Sequence, residues 1–481
     1  SGAVISCSVG GVARRAVLTA AHVIADSRYL QVQRTNDRFG GEKFRTRVVA
    51  VCHEVDLALL VLEDDGALED IAPLAVASAL ELPRVFDKVR VVGYPVGGDA
   101  CSVTEGVVSR VEVQEYSHSL RAGLALTVDA AINSGNSGGP LVDAATARVV
   151  GVAFQKLVAR GVELQGHAVP APLIQRFLAE VESASAEIID AIFRGGSSAS
   201  GGPPLRLRMP SMGCDYQSLE PRALRESLGL GKRKGILISR CHHAGPQGDA
   251  DGEFTAEPAL QSGDVLLAFD GHNLDENGFC DLLGRRLHFA AARDLRRIGA
   301  SVPLSVWRDG QEQLVHQVLQ PAQYLVPRGQ FDTRPRFFAV GGLVFQPLSH
   351  EYLQGWHSHD RPAHLQELFQ AGHLTPDRTE AVLLSQVLAD EVSAGYDSGW
   401  VGAPIVRAIN GQEVRNLAHL ADIVRQARLR SEGFLTFDFG MSCGPFRIVL
   451  PLEGLDEADT RICSIYGLPP ACCSSHYMSA S

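Results

Sequence analysis

The chain lacks any apolar run near the ~18 residues that a membrane-crossing helix requires, so no membrane span is expected. It has no leader-like opening and does not begin with Met, and we expect the natural protein to extend further upstream. Positive charge is also short. Lys and Arg number 44 against 55 Asp and Glu, a net charge of −11. A nucleic-acid partner, which would want a basic stripe, is therefore not expected. Two small basic clusters, Arg206 with Arg208 and Lys232-Arg233-Lys234, read as a solvated strand edge and a solvated turn. Ten cysteines (Cys7, Cys52, Cys101, Cys214, Cys241, Cys280, Cys443, Cys463, Cys472 and Cys473) show no paired metal-ligand spacing. No metal and no cofactor is expected. A chain of 481 residues needs no disulfides to hold its core, so the thiols read as small buried side chains in a reducing intracellular compartment. The adjacent Cys472-Cys473 leave a redox or lipid site open.

What is present is a core. Hydrophobic residues make up 45% of the chain, which has room for roughly three domains. The organising stretch is Ala130-Ala131-Ile132-Asn133-Ser134-Gly135-Asn136-Ser137-Gly138-Gly139-Pro140-Leu141. Its glycines let the backbone bend tightly and approach a substrate carbonyl. Such a turn can aim the amides of Gly135 and Ser137 at the oxygen of a tetrahedral intermediate. The Ser137 hydroxyl needs a base to become a nucleophile. His22, in Thr19-Ala20-Ala21-His22-Val23, and Asp56, in Val55-Asp56-Leu57-Ala58-Leu59-Leu60, both follow apolar segments upstream. Asp56 sits among apolar residues, and a buried carboxylate needs a partner to stay ionised. His22 can be that partner.

The order His22, Asp56, Ser137 is that of the chymotrypsin-like proteases. The strings TAAHV, DLALL, VVGYPVGG and DAAINSGNSGGPL resemble the Deg/HtrA branch most closely. The resemblance implies a nucleophile at Ser137, a base and then acid at His22, an orienter at Asp56, and an oxyanion hole at Gly135 and Ser137. It also implies that this loop can flip between resting and competent states. Asn133 is a candidate brace for it, just as Asp129 precedes it. Tyr94, Pro95 and Gly97 resemble a regulatory loop of the family or form a plain tight turn. Ala153, Phe154 and Gln155 stand where a strand pairs with the substrate backbone. Gln165, Gly166 and His167 stand at the wall of the specificity pocket. The family expectation there is a small or medium aliphatic side chain before the cut, which the polar Gln165 and His167 put in question. His167 could equally point away.

The predicted architecture is mainly β: a trypsin-like double β-barrel followed by two PDZ-like α+β domains. Residues 1–194 form the protease unit, its first strand or two expected to lie upstream of Ser1. It closes on a helix carrying Leu173, Ile174, Phe177, Leu178 and Val181 at helical spacing. Residues 195–204 read as a Gly/Ser linker. Residues 205–326 resemble a PDZ domain through Ser262-Gly263-Asp264-Val265-Leu266-Leu267, with Asp270-Gly271 as the turn. Met212, Gly213 and Cys214 stand in a candidate peptide-carboxylate loop; the alternative is a strand-entry turn whose groove the protein fills itself. Residues 337–455 repeat the pattern, with Val340-Gly341-Gly342-Leu343 as a second loop and Ile405-Val406-Arg407-Ala408-Ile409-Asn410-Gly411 as the echo. Residues 456–481 form a tail. The whole resembles the two-PDZ Deg proteases of plants and algae. That implies an ATP-independent serine endopeptidase acting on unfolded or damaged proteins, assembled as a trimer or hexamer, in chloroplast, mitochondrion or nucleus. The alternative is a chaperone or PDZ scaffold with little proteolysis.

Overall fold

The structure is a computed structural model. It describes residues 1–9, 11–34, 41–95, 100–156, 165–184, 187–189, 192, 203–242, 259–357, 359–396, 403–430, 432–440, 446–469 and 472. Gly97, most of the 195–204 linker, Cys443 and Cys473 lie outside the described residues. The chain divides into two compact units, Ser1–Cys241 with Pro258–Ala322, and His242–Glu257 with Gln323–Ser481.

In the first unit, β1 (Ala3–Val9), β2 (Val12–Thr19), β3 (Gln31–Gln33), β4 (Lys43–Cys52) and β5 (Leu57–Leu62) lie in one sheet. β5 is buried along its whole length, as its unbroken Leu-Ala-Leu-Leu-Val-Leu run requires. The strand Leu205–Arg206, which follows the linker, pairs parallel with β4 at Ala50 and Val51. The next six strands close into a barrel: β6 (Lys88–Gly93), β7 (Ser102–Tyr116), β8 (Arg121–Val128), β9 (Pro140–Asp143), β10 (Val149–Lys156) and β11 (Gly166–Pro170). The predicted helix spans Ala171–Glu182 and buries Leu173, Ile174, Phe177 and Val181. Tyr29 and Leu30 lie just ahead of β3.

The PDZ part of this unit is a sheet of Cys214–Ser218, Ile236–Cys241, Val265–Phe269, Ser301–Arg308 and Gln311–Val318, with Cys214–Ser218 at its edge. The helix Phe289–Asp294 accompanies it. One hydrophobic core runs from Leu18, Leu57 and Leu124 of the protease through Met209 and Met212 to Phe269 and Leu304 of the PDZ part.

The second unit is a seven-stranded sheet with the helix Leu417–Arg428 and a closing helix Leu455–Tyr466. The internal echo recurs as geometry. Asp270-Gly271 has φ of 53° and 82°, Asn410-Gly411 has 49° and 80°, and each pair turns a strand back on itself. Left-handed residues at both turn positions suit the right-handed twist of the flanking strands.

All eight described cysteines are free thiols. Cys52, Cys280, Cys463 and Cys472 are buried as expected, whereas Cys101 is exposed.

Candidate active site

Asp56 ends the short 3-10 turn His53–Val55 in a left-handed conformation, φ 54°. It is almost wholly buried, at 1% exposure. Its Oδ1 accepts the His22 backbone N–H at 2.8 Å, and its Oδ2 lies 2.7 Å from His22 Nδ1. Both carboxylate oxygens therefore face His22, one setting the backbone and the other the ring. His22 stands on the turn Ala21–Val23 directly after β2, with its side chain about one-third exposed (31%).

The Ser137 loop comes to that dyad by close backbone approach. At Gly138 (φ 78°) a side chain would overlap Thr19 and the backbone of Ala20, just ahead of His22. At Gly139 it would overlap the backbone of Val92 and Asn136. Both glycines are thus required by contact, and Gly138 by conformation as well. Asn136 N–H donates to Asn133 O at 2.9 Å, and Gly139 N–H to Asn136 O at 2.9 Å. Asn133 braces the loop through its carbonyl; its side chain is exposed. Ser1 Oγ donates to Gly135 O at 2.5 Å and accepts from Tyr94 N–H at 2.9 Å, tying the segment after β6 to the loop. Asp129 Oδ1 accepts from Val107 N–H at the loop's upstream end. Gly135 has φ 100°, and neither its N–H nor that of Ser137 has an acceptor among the described residues.

Along β10, Ala153 gives its carbonyl to Gly138 N–H (2.7 Å) and its N–H to Gly139 O (3.0 Å), so it supports the serine loop. The β9 pairing ends at Val152, opposite Pro140. Phe154 is buried and stacks on Tyr116, with ring centroids 4.3 Å apart. Gln155 Oε1 accepts from Ser117 N–H at 2.8 Å.

His167 lies on β11. It is buried opposite Thr127, whose Oγ1 donates to Glu112 at 2.8 Å and lies 3.1 Å from His167 Nδ1. A hydroxyl has one proton, so His167 Nδ1–H is the donor in the second bond. Burial lowers the affinity of His167 for a second proton and keeps the ring neutral. Its strand neighbours face the other way. A side chain at Gly166 would overlap Ile132. Gln165 accepts from Arg110 at 3.2 Å.

In the first PDZ part, Met212 is buried in the core and Gly213 takes φ 64°. The Gly213 N–H donates to Ser211 Oγ at 3.1 Å, and Cys214 opens the edge strand opposite Cys241. Tyr216, on that strand, packs edge-on against Phe289 with centroids 5.3 Å apart. In the second unit Gly341 and Gly342 are the two turn residues of a hairpin joining Phe338–Val340 to Leu343–Pro347. The Gly341 N–H donates to the Asp459 carboxylate at 2.6 Å, so this amide too is taken.

Sequence reading missed several residues around the site. Arg121 on β8 is buried and forms a two-pronged pair with Asp294, at 2.5 and 3.0 Å, and donates to Pro210 O at 3.1 Å. It ties the barrel to the PDZ loop. Burial pushes the Asp294 carboxyl up, but Arg121 and Arg293 together outweigh it and leave it below its ordinary range. Nothing local marks this pair, whose members lie 173 positions apart.

The profile of the trypsin-like peptidase domain matches residues 1–152, and that of the PDZ domain matches residues 326–475. The chain is 31% identical to Protease Do-like 2, chloroplastic, of Arabidopsis thaliana over 456 residues, covering 94% of this chain and 68% of that one. It is 32% identical to Protease Do-like 4, mitochondrial, of the same plant over 458 residues, covering 95% and 77%. Among solved structures, an HtrA-type protease AlgW with decapeptide is 24% identical, covers 66% of this chain and 82% of that one, and has a TM-score of 0.45. The chain belongs to the Deg (Do-like, HtrA) family of PDZ-bearing serine proteases and is a serine endopeptidase.

Proposed function

We propose that Ser137, His22 and Asp56 are the triad of this endopeptidase. His22 Nε2 takes the Ser137 proton as Oγ attacks the peptide carbonyl, then returns it to the leaving amine; water repeats the cycle on the acyl-enzyme. Asp56 keeps the Nδ1–H tautomer and stabilises the imidazolium. The amides of Gly135 and Ser137 receive the oxyanion. The observation that carries this reading is the doubled Asp56–His22 contact, with the Gly138 backbone packed on the residues just before His22.

We place substrate pairing on the β10 backbone from Phe154 onward, since Ala153 is committed to the loop. We infer a small or medium aliphatic side chain before the cut, with Ile132 packed against Gly166 at the proposed wall. Unfolded or damaged proteins are the substrates we infer, an oligomer the form, and an organelle the setting; the names of the chloroplastic and mitochondrial relatives support the last.

The test is casein digestion by wild type and by Ser137→Ala. A loss of at least ~10³-fold is expected. Equal and negligible cleavage by both, with aggregation of a denatured client still suppressed, would favour a scaffold.

A further inference from the structure

A second imidazole pair lies beside His22 and Asp56. His53 Nδ1 and His118 Nε2 meet at 2.9 Å, with ring centroids 5.1 Å apart. The His118 ring is also 6.0 Å from the ring of His22, tilted by 55°. The partners come from separate elements. His53 opens the turn His53–Val55 that ends at Asp56. His118 sits in the connection between β7 and β8, where its neighbour Ser119 donates Oγ to Glu54 O at 3.1 Å. Adjacent residues of one connection thus hold two of the three residues that precede Asp56. Elsewhere on the same turn, the Glu54 carboxylate accepts from Arg208 Nε at 2.7 Å and from Met209 N–H at 2.6 Å.

That restraint has a physical purpose. Asp56 is a non-glycine residue at positive φ, a conformation that persists only where its surroundings enforce it. If the turn relaxed, the carboxylate would swing and one of its two bonds to His22 would be lost. The brace also has to be uncharged, because a cation there would oppose the imidazolium that forms on His22 during acyl transfer. Burial lowers the His118 pKa to about 4; Asp56 and Asp26 oppose that shift, while His53 and His22 add to it. At neutral pH His118 is therefore an uncharged ring, which meets His53 Nδ1 through its Nε2.

We propose that His118 is a positioning residue for the acid of the triad: through His53 it fixes the turn that aims Asp56 at His22. This rests on the triad reading above.

The experiment uses the full chain and the variants His118→Phe, His53→Phe, the double variant and His118→Gln, with Ser137→Ala alongside. For each we would measure kcat and KM on a peptide substrate, the rate at which a fluorophosphonate labels Ser137, and thermal unfolding. Each Phe variant should lose about 10- to 100-fold in kcat, the scale expected from slight misplacement of a reacting group, with KM within about twofold. Fluorophosphonate labelling should slow in parallel. The double variant should be no worse than the poorer single, because the two rings act as one unit. His118→Gln, which can still reach His53 Nδ1, should recover to within about threefold of wild type. If His118→Phe does not fold, His118→Ala serves the same comparison. A kcat within about twofold of wild type in His118→Phe, losses that multiply in the double variant, or a KM effect alone would overturn the proposal. Full cleavage by Ser137→Ala would instead overturn the serine reading itself, and this inference with it.

Discussion

Three glycine turns in this chain put backbone N–H groups where an oxygen could be received, and they differ in whether the protein has already supplied that oxygen. At Gly135 and Ser137 both amides lack an acceptor among the described residues, and the loop is fixed instead through its other groups: Ser1 Oγ holds the Gly135 carbonyl, and Ala153 of β10 holds the N–H of Gly138 and the carbonyl of Gly139. At Gly213 the amide goes to Ser211 Oγ, and at Gly341 to the carboxylate of Asp459. The same residue type therefore serves opposite ends. On the triad reading proposed above, such a loop takes its rigidity from the groups around these two amides and keeps the two donors for charge that develops in the transition state. A loop whose donors are bound internally gains stability and gives up that capacity.

The sharpest way to break the catalytic side is Asp56→Asn. Oδ1 accepts a backbone N–H, so the Asn oxygen will stay there and its NH2 will face His22 Nδ1. That arrangement forces the wrong tautomer while leaving the shape intact. We expect kcat/KM to fall on the order of 10⁴-fold with unchanged thermal stability. A loss under about tenfold would remove Asp56 from the mechanism.

Next in size is Asp294→Ala, which strands the buried Arg121 guanidinium and loosens the grip on Pro210 at the first PDZ loop. Removing one member of a buried pair should cost about 3–5 kcal/mol. Thiol labelling of Cys52 and Cys280 in urea would read this first unit alone. The pH sign follows from the depressed Asp294 carboxyl: its contribution is present above the ordinary value near 3.8 and is lost as pH falls through the lower folded value. Acid should therefore narrow the gap between variant and wild type.

A smaller effect tests the open loop itself. Gly135 sits at φ 100°, beyond the left-handed region that side-chain-bearing residues tolerate. Gly135→Ala should rotate the peptide that aims the amide. A drop of about 10- to 100-fold in kcat at near-constant KM is expected, bounded by the value of one oxyanion donor. Unchanged turnover would mean that the Gly135 amide takes no part.

The sequence discloses what is written in short local strings. The segments around His22, Asp56 and Ser137 each carry their own contacts, and Asp270-Gly271 and Asn410-Gly411 each encode a turn within two residues. The helix Ala171–Glu182 is visible because its apolar residues recur at one period. What stays hidden depends on distant partners. Leu205–Arg206 becomes a strand only because the edge of β4 is there to pair with it. The His53–His118 contact spans 65 positions, and neither residue sits in a motif. The direction of His167 follows from strand alternation once Gly166 is known to face Ile132, a contact that no string announces. The helix Leu455–Tyr466 reads as a loose tail for a related reason: its inward face, Leu455, Ala458, Asp459, Ile462 and Cys463, has an acid in the middle of the apolar stripe.

That acid supplies the smallest test, on the closed side of the comparison. Asp459 accepts from Gly341 N–H and is paired with Arg428, yet burial outweighs both and raises its carboxyl above the ordinary value. A raised acid contributes stability that is complete below about 3.8, its unfolded value, and is lost as pH rises through the folded value. Asp459→Asn keeps an oxygen for Gly341 and cannot titrate. Its cost at mildly acidic pH should stay below about 1 kcal/mol, the scale of one neutral hydrogen bond. The difference from wild type should then move in favour of Asn as pH rises above the ordinary carboxylate value. Urea-dependent labelling of Cys463, buried in the same helix, would follow it. A wild type that gains on the variant as pH rises would mean that Asp459 is held by its partners more strongly than burial opposes it, and that the turn is closed by a true ion pair.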